Sequence, residues 1–496
     1  KKLMDALVIL GNQLFQDHHI NKYKNNHIIY MAEDKGLCTY VKHHKQKIYY
    51  FLASMREYRD YLVEKNYKLK YSGIENSIKS KNYFDNLILF ITKNNIKKIR
   101  IFEIEDKLFE NKFLKFVEKN KIDYEFLSSP MFVTKRKEFI DLYKDKKPLM
   151  ANFYQYQRKK LDLLMLDGKP LGGQWSYDKE NRKRVPKDYE FPKLNLYTSK
   201  YYDDLSKTID KHFKSHFGTL NKNSIFPFNR KDSLNSLKLF LKEKINNFGN
   251  YEDFISTTQS SINHSLLSAP LNMGIIDPID IIEAVKNINP SSIGLNNLEG
   301  FLRQIIGWRE FIRGINQKHY SEMLERNFFN NTRSLTNHWY EGTTSLPILN
   351  DLIHNLNKTG YAHHIPRLMI ASNIMNLSGI RPIEVYNWFM TTFIDSSDWV
   401  MIPNVFGMGL HSDGGIFSTK PYICGSNYLL KMSDYKKGPW TDILDGLYWN
   451  FIKKNENFFK KNPRLSMMSI ALNKMPSAKL NNHINNAEKF INEFTK

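Results

Sequence analysis

The amino-acid sequence predicts two structural units: an α/β unit at residues 1–130 with an open parallel, Rossmann-like sheet, and a large all-α unit at residues 201–496. Strand and helix patterns alternate through the first 130 residues, which is typical of a parallel sheet with helices on both faces. Beyond residue 201 the strand patterns fade, and apolar residues recur with helical spacing. An irregular segment at residues 131–200 connects the two units.

Five short apolar runs predict the strands of the α/β unit. Helical patterns at Lys47–Glu64 and Lys107–Asn120 lie between them. The turn at residues 11–14 follows the first strand, where sheets of this kind bind ligands, but it lacks the G-x-G-x-x-G fingerprint of a dinucleotide site. The predicted strands are Ala6–Leu10, His27–Met31, Tyr67–Tyr71, Lys98–Phe102 and Tyr124–Leu127.

The connector at residues 131–200 is crowded with glycine, proline, aromatic and basic residues and has no sustained period. A solvated linker would have this length. Its basic side chains are also suited to contact phosphates, and Trp175 or Tyr177 to stack on bases. The basic residues in question are Arg158, Lys159, Lys160, Arg182, Lys183 and Arg184.

Helical patterns dominate the second unit, and polar residues recur at its inward positions. Buried polar groups need partners, and a large buried cofactor would supply many at once. The predicted helices are Leu234–Asn247, Asp277–Asn287, Leu298–Ile315, Leu346–Asn357, Tyr361–Asn376, Arg381–Phe393 and Thr441–Asn455.

Composition narrows the class of protein. The formal charge of +22 favours a polyanionic partner such as DNA, although the general Lys, Asn and Ile richness accounts for part of it. Cys38 and Cys424 are the two cysteines, which indicates a reducing compartment and predicts a cytoplasmic protein. No long apolar run predicts a membrane span, and the first residues predict a strand and not a signal peptide. The sequence contains no heptad repeat or long amphipathic extension that would indicate a coiled-coil oligomer, so a monomer is expected.

The segment GYAHHIPRLMIASN at residues 360–373 carries paired histidines, His363 and His364, in the first turn of a predicted helix. Adjacent helical residues do not face each other, and no third ligand follows at a suitable offset, so a metal site is not favoured. This segment resembles the flavin-binding helix of the photolyase/cryptochrome family, in particular its bacterial (6-4) photolyase branch. GKPLGGQWSYDKENR at residues 168–182 resembles a signature of the same branch.

Three further segments resemble the family in the same chain order: NHSLLSAPLNMG, LEGFLRQIIGWREFIRGI and FIDSSDWVMIPN. The resemblance implies that the helical unit binds flavin adenine dinucleotide (FAD), with the first segment at the diphosphate. The residues that it assigns to FAD are His264, Ser265, Leu266, Leu267, Ser268, Gln304, Trp308, Arg309, Arg367, Asp395, Met401 and Asn404.

The activity implied is light-driven repair of (6-4) pyrimidine photoproducts, by electron transfer from photoexcited reduced FAD. By resemblance His364 protonates the lesion beside His363, while Trp388 and Trp339 relay electrons to the flavin. Asp178 matches an acidic residue suspected of holding a divalent cation, so Mg²⁺ is a candidate. The residues expected to bind damaged DNA are Arg158, Lys159, Lys160, Trp175, Arg182, Lys183 and Lys420.

The sequence departs from the family at several positions. Two cysteines cannot ligate the iron–sulfur (4Fe–4S) cluster of many relatives, so none is predicted. Met401 replaces a polar or acidic residue near flavin N5, and Phe389 replaces a frequent Tyr. Asn12 and Leu37 align with acidic positions of the family's lumazine site. The sequence therefore leaves undecided whether a lumazine-type antenna chromophore binds. A cryptochrome-like blue-light receptor, a cyclobutane-dimer photolyase and a cofactor-free DNA-binding protein are the alternatives.

Overall fold

The computed structural model describes residues 4–79 and 82–496. Its α/β unit contains the predicted five-stranded sheet, in the order β3-β2-β1-β4-β5 with every neighbouring pair parallel. The central strand β1 is short, and its Ala6, Leu7 and Val8 are fully buried because helices cover both faces. The strands are β1 (Met4–Val8), β2 (His27–Ala32), β3 (Leu69–Ser72), β4 (Ile96–Phe102) and β5 (Asp123–Leu127).

Helices between the strands begin at residues that satisfy their free N–H groups. Asp106 accepts a hydrogen bond from the Phe109 N–H at 2.8 Å, and Asn82 forms a capping box with Asp85. The predicted helices at residues 47–64 and 107–120 are confirmed within two residues at each end. The helices of this unit are Asp17–Ile20, Lys35–Thr39, Lys45–Glu64, Ile74–Lys79, Tyr83–Asn94 and Lys107–Lys119.

The connector is more ordered than its composition predicts. Helices Arg136–Leu142 and Met150–Leu161 are followed by a two-stranded hairpin of Met165–Leu166 and Lys169–Pro170. The second helix escaped prediction because the face that it buries, which includes Phe153, Gln157 and Arg158, mixes apolar and polar residues. The remainder of the connector, to residue 200, is irregular apart from short 3₁₀ turns.

Helices make up the ordered structure beyond residue 201, as predicted, with only isolated bridges among the described residues. The predicted helix Leu234–Asn247 is split near Lys244 into two. The α-helices here are Tyr202–His212, Arg230–Glu243, Ile245–Tyr251, Ser268–Asn272, Pro278–Lys286, Pro290–Ile293, Leu295–Leu302, Arg309–Glu325, His338–Glu341, Pro347–Thr359, Asn373–Leu377, Pro382–Thr392, Asp398–Met401, Ser426–Lys431, Pro439–Lys454, Glu456–Lys461, Ser466–Asn473 and Ser477–Phe494.

Three helices of this unit contain π-helical segments, at Arg303–Trp308, Pro366–Ser372 and Ile402–Gly409. Such segments widen the helix locally and occur often at functional sites. They correct the prediction of regular α-helices over residues 298–315 and 361–376. The second of these helices begins at His364, so His363 lies just before it and not in its first turn. In the described part of the chain, no helix combines the length and apolar character needed to span a membrane.

Candidate functional site

A deep cavity in the helical unit encloses about 1490 Å³ of space, including its open mouth. The three π-helical segments border it: Gln304 and Trp308 come from the first, Arg367 from the second and Asn404 from the third. The sequence positions predicted to bind FAD all lie on its wall, and so do both paired histidines. These FAD positions are His264, Ser265, Leu266, Leu267, Ser268, Gln304, Trp308, Arg309, Arg367, Asp395, Met401 and Asn404.

One end of the cavity is formed by the turn that leads into the short helix Ser268–Asn272. Leu266 in this turn has a left-handed backbone, with φ of 55°, a conformation that costs energy for a non-glycine residue and concentrates at functional sites. The Ser268 hydroxyl donates to Asp395 Oδ2 at 2.7 Å, which joins the turn to the opposite wall. This geometry aligns a compact strip of backbone along the cavity.

An arginine–carboxylate pair fixes the wall next to that turn. Arg367 donates two hydrogen bonds to Asp395, at 2.8 and 2.9 Å, and its guanidinium lies 4.1 Å from the Phe393 ring centroid. Burial opposes ionisation of Asp395, but the Arg367 charge and hydrogen bonds outweigh it and hold the pKa of this carboxyl below its usual range. Asp395 is therefore a fixed negative charge that holds Arg367 in one orientation.

Two residues on the cavity wall, Arg309 and Trp399, each have a buried N–H group without a hydrogen-bond partner in the described chain. Arg309 donates to the carbonyls of Met131, at 2.5 Å, and Leu271, at 3.3 Å, but its buried Nε has no partner, and no carboxylate of the described chain pairs with it. Burial lowers the pKa of Arg309 to about 10. The Trp399 indole N–H is likewise buried without a partner. Donors of this kind suit an anionic, acceptor-rich ligand, so these residues fit a flavin nucleotide.

The paired histidines are joined by a third imidazole that sequence spacing did not reveal. His264 stacks on His363 with ring centroids 4.5 Å apart. His363 Nε2 donates to the Phe254 carbonyl at 2.8 Å, and its Nδ1 accepts from the Ile365 N–H at 3.3 Å. Burial lowers the pKa of both His264 and His363. Both nitrogens of His363 are therefore engaged, which leaves none for a metal ion, and its lowered pKa does not suit it to donate a proton.

His364 has a different environment at the edge of the cavity. Its side chain is 46% exposed, and its Nε2 lies 3.0 Å from Asp253 Oδ1. Burial alone would lower the pKa of His364, but the hydrogen bond and charge of Asp253, together with the charge of Glu252, raise it above the usual value. No hydrogen bond within the described chain engages its Nδ1. His364 is thus the imidazole of this group that can carry and release a proton.

The two predicted electron-relay residues lie behind the cavity wall and not on it. Phe389 lines the cavity, and the fully buried Trp388 touches it with ring centroids 5.2 Å apart. Trp388 Nε1 donates to the Trp339 carbonyl at 2.8 Å. Trp339 Nε1 donates in turn to the Phe494 carbonyl at 2.8 Å. Phe389, Trp388 and Trp339 therefore form a continuous series of contacts that starts at the cavity wall.

The connector contradicts one predicted DNA contact. Arg158 is fully buried and donates to the backbone carbonyls of Leu163, Leu164 and Trp175, so it holds the connector together and cannot reach a phosphate. Its neighbour Lys159 is exposed, with its ammonium 5.4 Å from the Trp175 ring centroid. The other predicted residues are accessible: Lys160, Arg182, Lys183 and Lys420 are exposed, and Trp175 is half-buried.

Asp178 does not have the surroundings of a cation ligand. One oxygen pairs with Arg182, and the other lies 3.5 Å from Arg303 Nη1. Arg303 also pairs with Glu299 at 3.1 Å. Guanidinium groups thus occupy both carboxylate oxygens, and the predicted divalent-cation site at Asp178 is not present in this geometry.

A second cavity of about 1200 Å³ lies where the α/β unit meets the helical unit, beyond the ends of β1 and β2. Asn12 and Leu37, the two positions noted for an antenna, line it. Burial lowers the pKa of Lys47 in this cavity to about 7, and burial and the nearby Asp106 raise that of Asp398. The sequence analysis did not predict a role for Lys47 or Asp398. Part of the wall of this cavity also belongs to the first cavity. The shared wall consists of Asn272, Asp395 and Trp399.

Comparisons with known proteins agree with this architecture. Residues 7–225 match the family described as deoxyribodipyrimidine photo-lyase-related protein, and residues 301–422 match the FAD binding domain of DNA photolyase. The chain is similar to a (6-4) photolyase of Agrobacterium fabrum, with 32% identity over 481 residues that cover 94% of each chain. It is also similar to a deoxyribodipyrimidine photo-lyase of Buchnera aphidicola, with 30% identity over 38% of each chain.

Solved structures share the fold at low sequence identity. A bacterial class III photolyase from Agrobacterium tumefaciens superposes with a TM-score of 0.58 at 15% identity, covering 99% of this chain and 97% of that one. An archaeal photolyase from Sulfolobus tokodaii, described with two FAD molecules, gives a TM-score of 0.55 at 15% identity over 98% of this chain and 100% of that one.

Proposed function

The chain belongs to the DNA photolyase family, and on that premise we propose that it is a (6-4) photolyase, a flavoprotein that repairs ultraviolet-damaged DNA in the light. The (6-4) photolyase relative matches 94% of the chain, which supports the class of activity. The observation that carries the choice of substrate is His364 at the cavity mouth, paired with Asp253 at 3.0 Å. A (6-4) lesion needs a proton as a group moves between its rings, and a cationic imidazole supplies one.

The cofactor proposed for the first cavity is FAD. Arg309 and the turn at residues 265–268 would hold its diphosphate, and Asp395, Met401 and Asn404 would surround its ring. When bound, FAD supplies the chemistry of light absorption and single-electron donation. Arg367 supports this assignment, because its pairing with Asp395 leaves that side of the cavity rigid and charge-balanced.

The chain's own residues would orient the lesion and manage protons. His363 and His264 stack on each other and contact the His364 ring edge-on or at a tilt, and their hydrogen bonds to the Phe254 and Glu252 carbonyls hold them in place. His364 would hold a proton and deliver it to the lesion. Asp253 stabilises the cationic form, and solvent at this partly exposed side chain would supply the next proton. The lesion must leave the duplex stack to come this close, which costs least where base pairing is already damaged.

Trp388 and Trp339 are proposed to relay electrons inward from the protein surface. Their alignment behind Phe389, with one direct hydrogen bond between them, supports this role. Buried aromatic packing is the competing explanation, and only a photoreduction measurement separates the two.

For DNA, we propose that the exposed connector residues Lys159, Lys160, Arg182 and Lys183 and the loop residue Lys420 contact the backbone, with Trp175 near a base. For the second cavity we propose a light-harvesting chromophore of the lumazine type.

With two cysteines in the sequence, no 4Fe–4S cluster is proposed. We further propose a cytoplasmic monomer.

A cryptochrome-like photoreceptor without repair activity is the second candidate. Met401 favours it, because a thioether on the cavity wall provides neither a charge nor a strong hydrogen bond next to the flavin ring. Phe389 favours it as well, since a phenyl ring passes no proton.

The deciding experiment illuminates the reduced, FAD-loaded protein with oligonucleotides that carry one (6-4) or one cyclobutane lesion. We expect repair of the (6-4) lesion, and we expect His364→Ala to abolish it while FAD remains bound. Lys159→Ala, which lies outside the cavity, should retain repair at saturating DNA. Cyclobutane repair that survives His364→Ala would contradict the substrate assignment, and binding of lesions without repair of either would favour the photoreceptor.

A further inference from the structure

A cluster of metal-ligating side chains lies outside both cavities, where the α/β unit touches the helical unit. His18 and His19 belong to the short helix Asp17–Ile20, and Asp277 immediately precedes the helix Pro278–Lys286. One ligand atom from each of these three residues lies within 4.8 Å of the other two. We propose that His18, His19 and Asp277 form a binding site for a divalent transition-metal ion of the zinc class.

Asp277 supplies the strongest observation. Its side chain is 2% exposed, and its Oδ2 accepts a hydrogen bond from Gln16 at 2.7 Å and contacts His19 Nε2 at 2.8 Å. The same side chain forms a capping box with Asp280 at the start of the helix Pro278–Lys286, and its buried Oδ1 makes no hydrogen bond of normal geometry within the described chain. A buried carboxylate that is held in place and incompletely hydrogen-bonded favours a cation bound next to it.

The two imidazoles complete a donor set with solvent access. Although His18 and His19 are adjacent, their ring centroids are only 3.7 Å apart, so both rings point to the same side of the chain. His18 is exposed, and no hydrogen bond within the described residues engages its ring nitrogens. Two nitrogen ligands and one carboxylate, with a position left for water, match the ligand set of zinc sites. Mg²⁺ and Ca²⁺ prefer oxygen ligands, so this set disfavours them.

An ion bound at this cluster would lie between two segments of the chain that already pack against each other. The Leu14 N–H donates to the Met273 carbonyl at 3.0 Å, and Gly274 leaves no room for a side chain because a Cβ there would approach the Phe15 ring to 2.5 Å. Residues 14–19 are therefore already docked on residues 273–277. A metal ion held by both segments would stabilise this contact between the two units.

The test measures zinc binding to the FAD-loaded protein by titration calorimetry after chelator treatment and dialysis. We expect one Zn²⁺ per chain and a higher melting temperature with zinc than without it. His18→Ala should weaken binding by about tenfold or more, because even outer-shell partners of metal sites commonly contribute that much. His354→Ala is the matched control: His354 is an exposed imidazole on the helix Pro347–Thr359, far from the cluster in sequence, and its loss should change nothing.

Asp277→Asn provides a second variant, whose folding is checked by circular dichroism and flavin absorption. It should lose zinc binding as His18→Ala does. Because His18 is exposed, His18→Ala decides the question even if Asp277→Asn misfolds. Wild-type protein that binds no zinc at millimolar concentration would overturn the proposal, and so would equal binding by wild type and His18→Ala. Neither result bears on light-driven repair.

Discussion

Two adjacent histidines of the cavity differ in pKa because one is buried without a charged partner and the other is paired with a carboxylate. His363 donates to a backbone carbonyl, whereas His364 contacts a carboxylate. Burial lowers the pKa of His363, although its hydrogen bond to the Phe254 carbonyl opposes this shift, whereas the Asp253 carboxylate stabilises the cation of His364. The pKa values of these two adjacent histidines are therefore shifted in opposite directions from the ordinary value, and only His364 is suited to general acid catalysis.

This difference predicts how repair depends on pH. Asp253 raises the pKa of His364, so the cationic form persists to higher pH than in a free imidazole. Asp253→Asn removes the charge, lowers the pKa of His364, and should move the alkaline fall of (6-4) repair to lower pH. The stability that the pair contributes is present below the unfolded pKa of about 6.5 and is lost as pH rises through the raised folded pKa. Repair rates from pH 5 to 9 measure the shift, and an unchanged profile would exclude His364 as the acid.

A second prediction at this scale concerns the buried tryptophans. Trp388→Phe keeps an aromatic ring behind Phe389 but removes the easily oxidised indole in contact with it. We expect light-driven reduction of the oxidised flavin to slow by at least about tenfold, which corresponds to only about 1.4 kcal/mol of added barrier. Repair by chemically reduced protein should persist. Trp440→Phe is the control, because Trp440 is also buried and bonded to a backbone carbonyl, that of Lys436. Equal photoreduction in both variants would mean that Trp388 serves packing alone.

At the scale of elements, the helix Met150–Leu161 presents two neighbouring basic residues with opposite roles. Arg158 is fully buried and bound to three carbonyls, whereas Lys159 is exposed. Arg158→Ala should therefore destabilise the connector by about 3 kcal/mol or more, since each hydrogen bond to a charged group contributes about 1.5–3 kcal/mol. Chemical denaturation measures this loss.

Lys159→Ala should leave stability unchanged and weaken DNA binding instead. Its expected signature is a decrease of about one in the slope of log affinity against log salt concentration, as for the loss of one phosphate contact. Fluorescence anisotropy with a damaged duplex at several salt concentrations measures it. An unchanged slope would remove Lys159 from the interface.

Most secondary-structure elements and the positions predicted to bind FAD could be predicted from the sequence. The strands follow from short apolar runs, and most of the helices from apolar periodicity, because each element buries one face or both. The FAD positions converge on one cavity because short motifs carry their own local geometry, such as the turn before Ser268. These parts of the fold and of the candidate site depend mainly on local sequence.

Other features depend on contacts that sequence spacing does not report. The burial of Arg158 depends on carbonyls of the hairpin region, and the pairing of Asp178 with Arg303 joins residues 125 positions apart. The π-helical segments differ from α-helices by one residue per segment, which hydrophobic periodicity does not resolve. The second cavity and the His18–His19–Asp277 cluster form only when the two units are docked.

For the whole molecule, the contact between the two units rests on a buried ion-pair network. Arg313, on the helix Arg309–Glu325, donates to Glu105 at 3.0 and 3.1 Å and to Glu103 at 3.0 Å, just beyond strand β4. Arg313 and Glu105 are each only 2% exposed. Burial opposes ionisation of Glu105, but the arginine charges hold the pKa of its carboxyl below the usual range. This part of the contact should therefore weaken as pH falls through that lowered pKa.

Arg313→Ala should destabilise the protein by about 3–5 kcal/mol, because it leaves Glu105 buried with a weakened ion pair. It should also separate the unfolding of the two units. All seven tryptophans lie beyond residue 174, so indole fluorescence reports the connector and helical unit, while circular dichroism reports both units. The two signals should change together in the wild type and at different denaturant concentrations in the variant.

Arg381→Ala, which removes an exposed pair with Glu384, should cost under about 1 kcal/mol and keep the signals coincident. Coincident transitions in Arg313→Ala would mean that apolar packing alone joins the units.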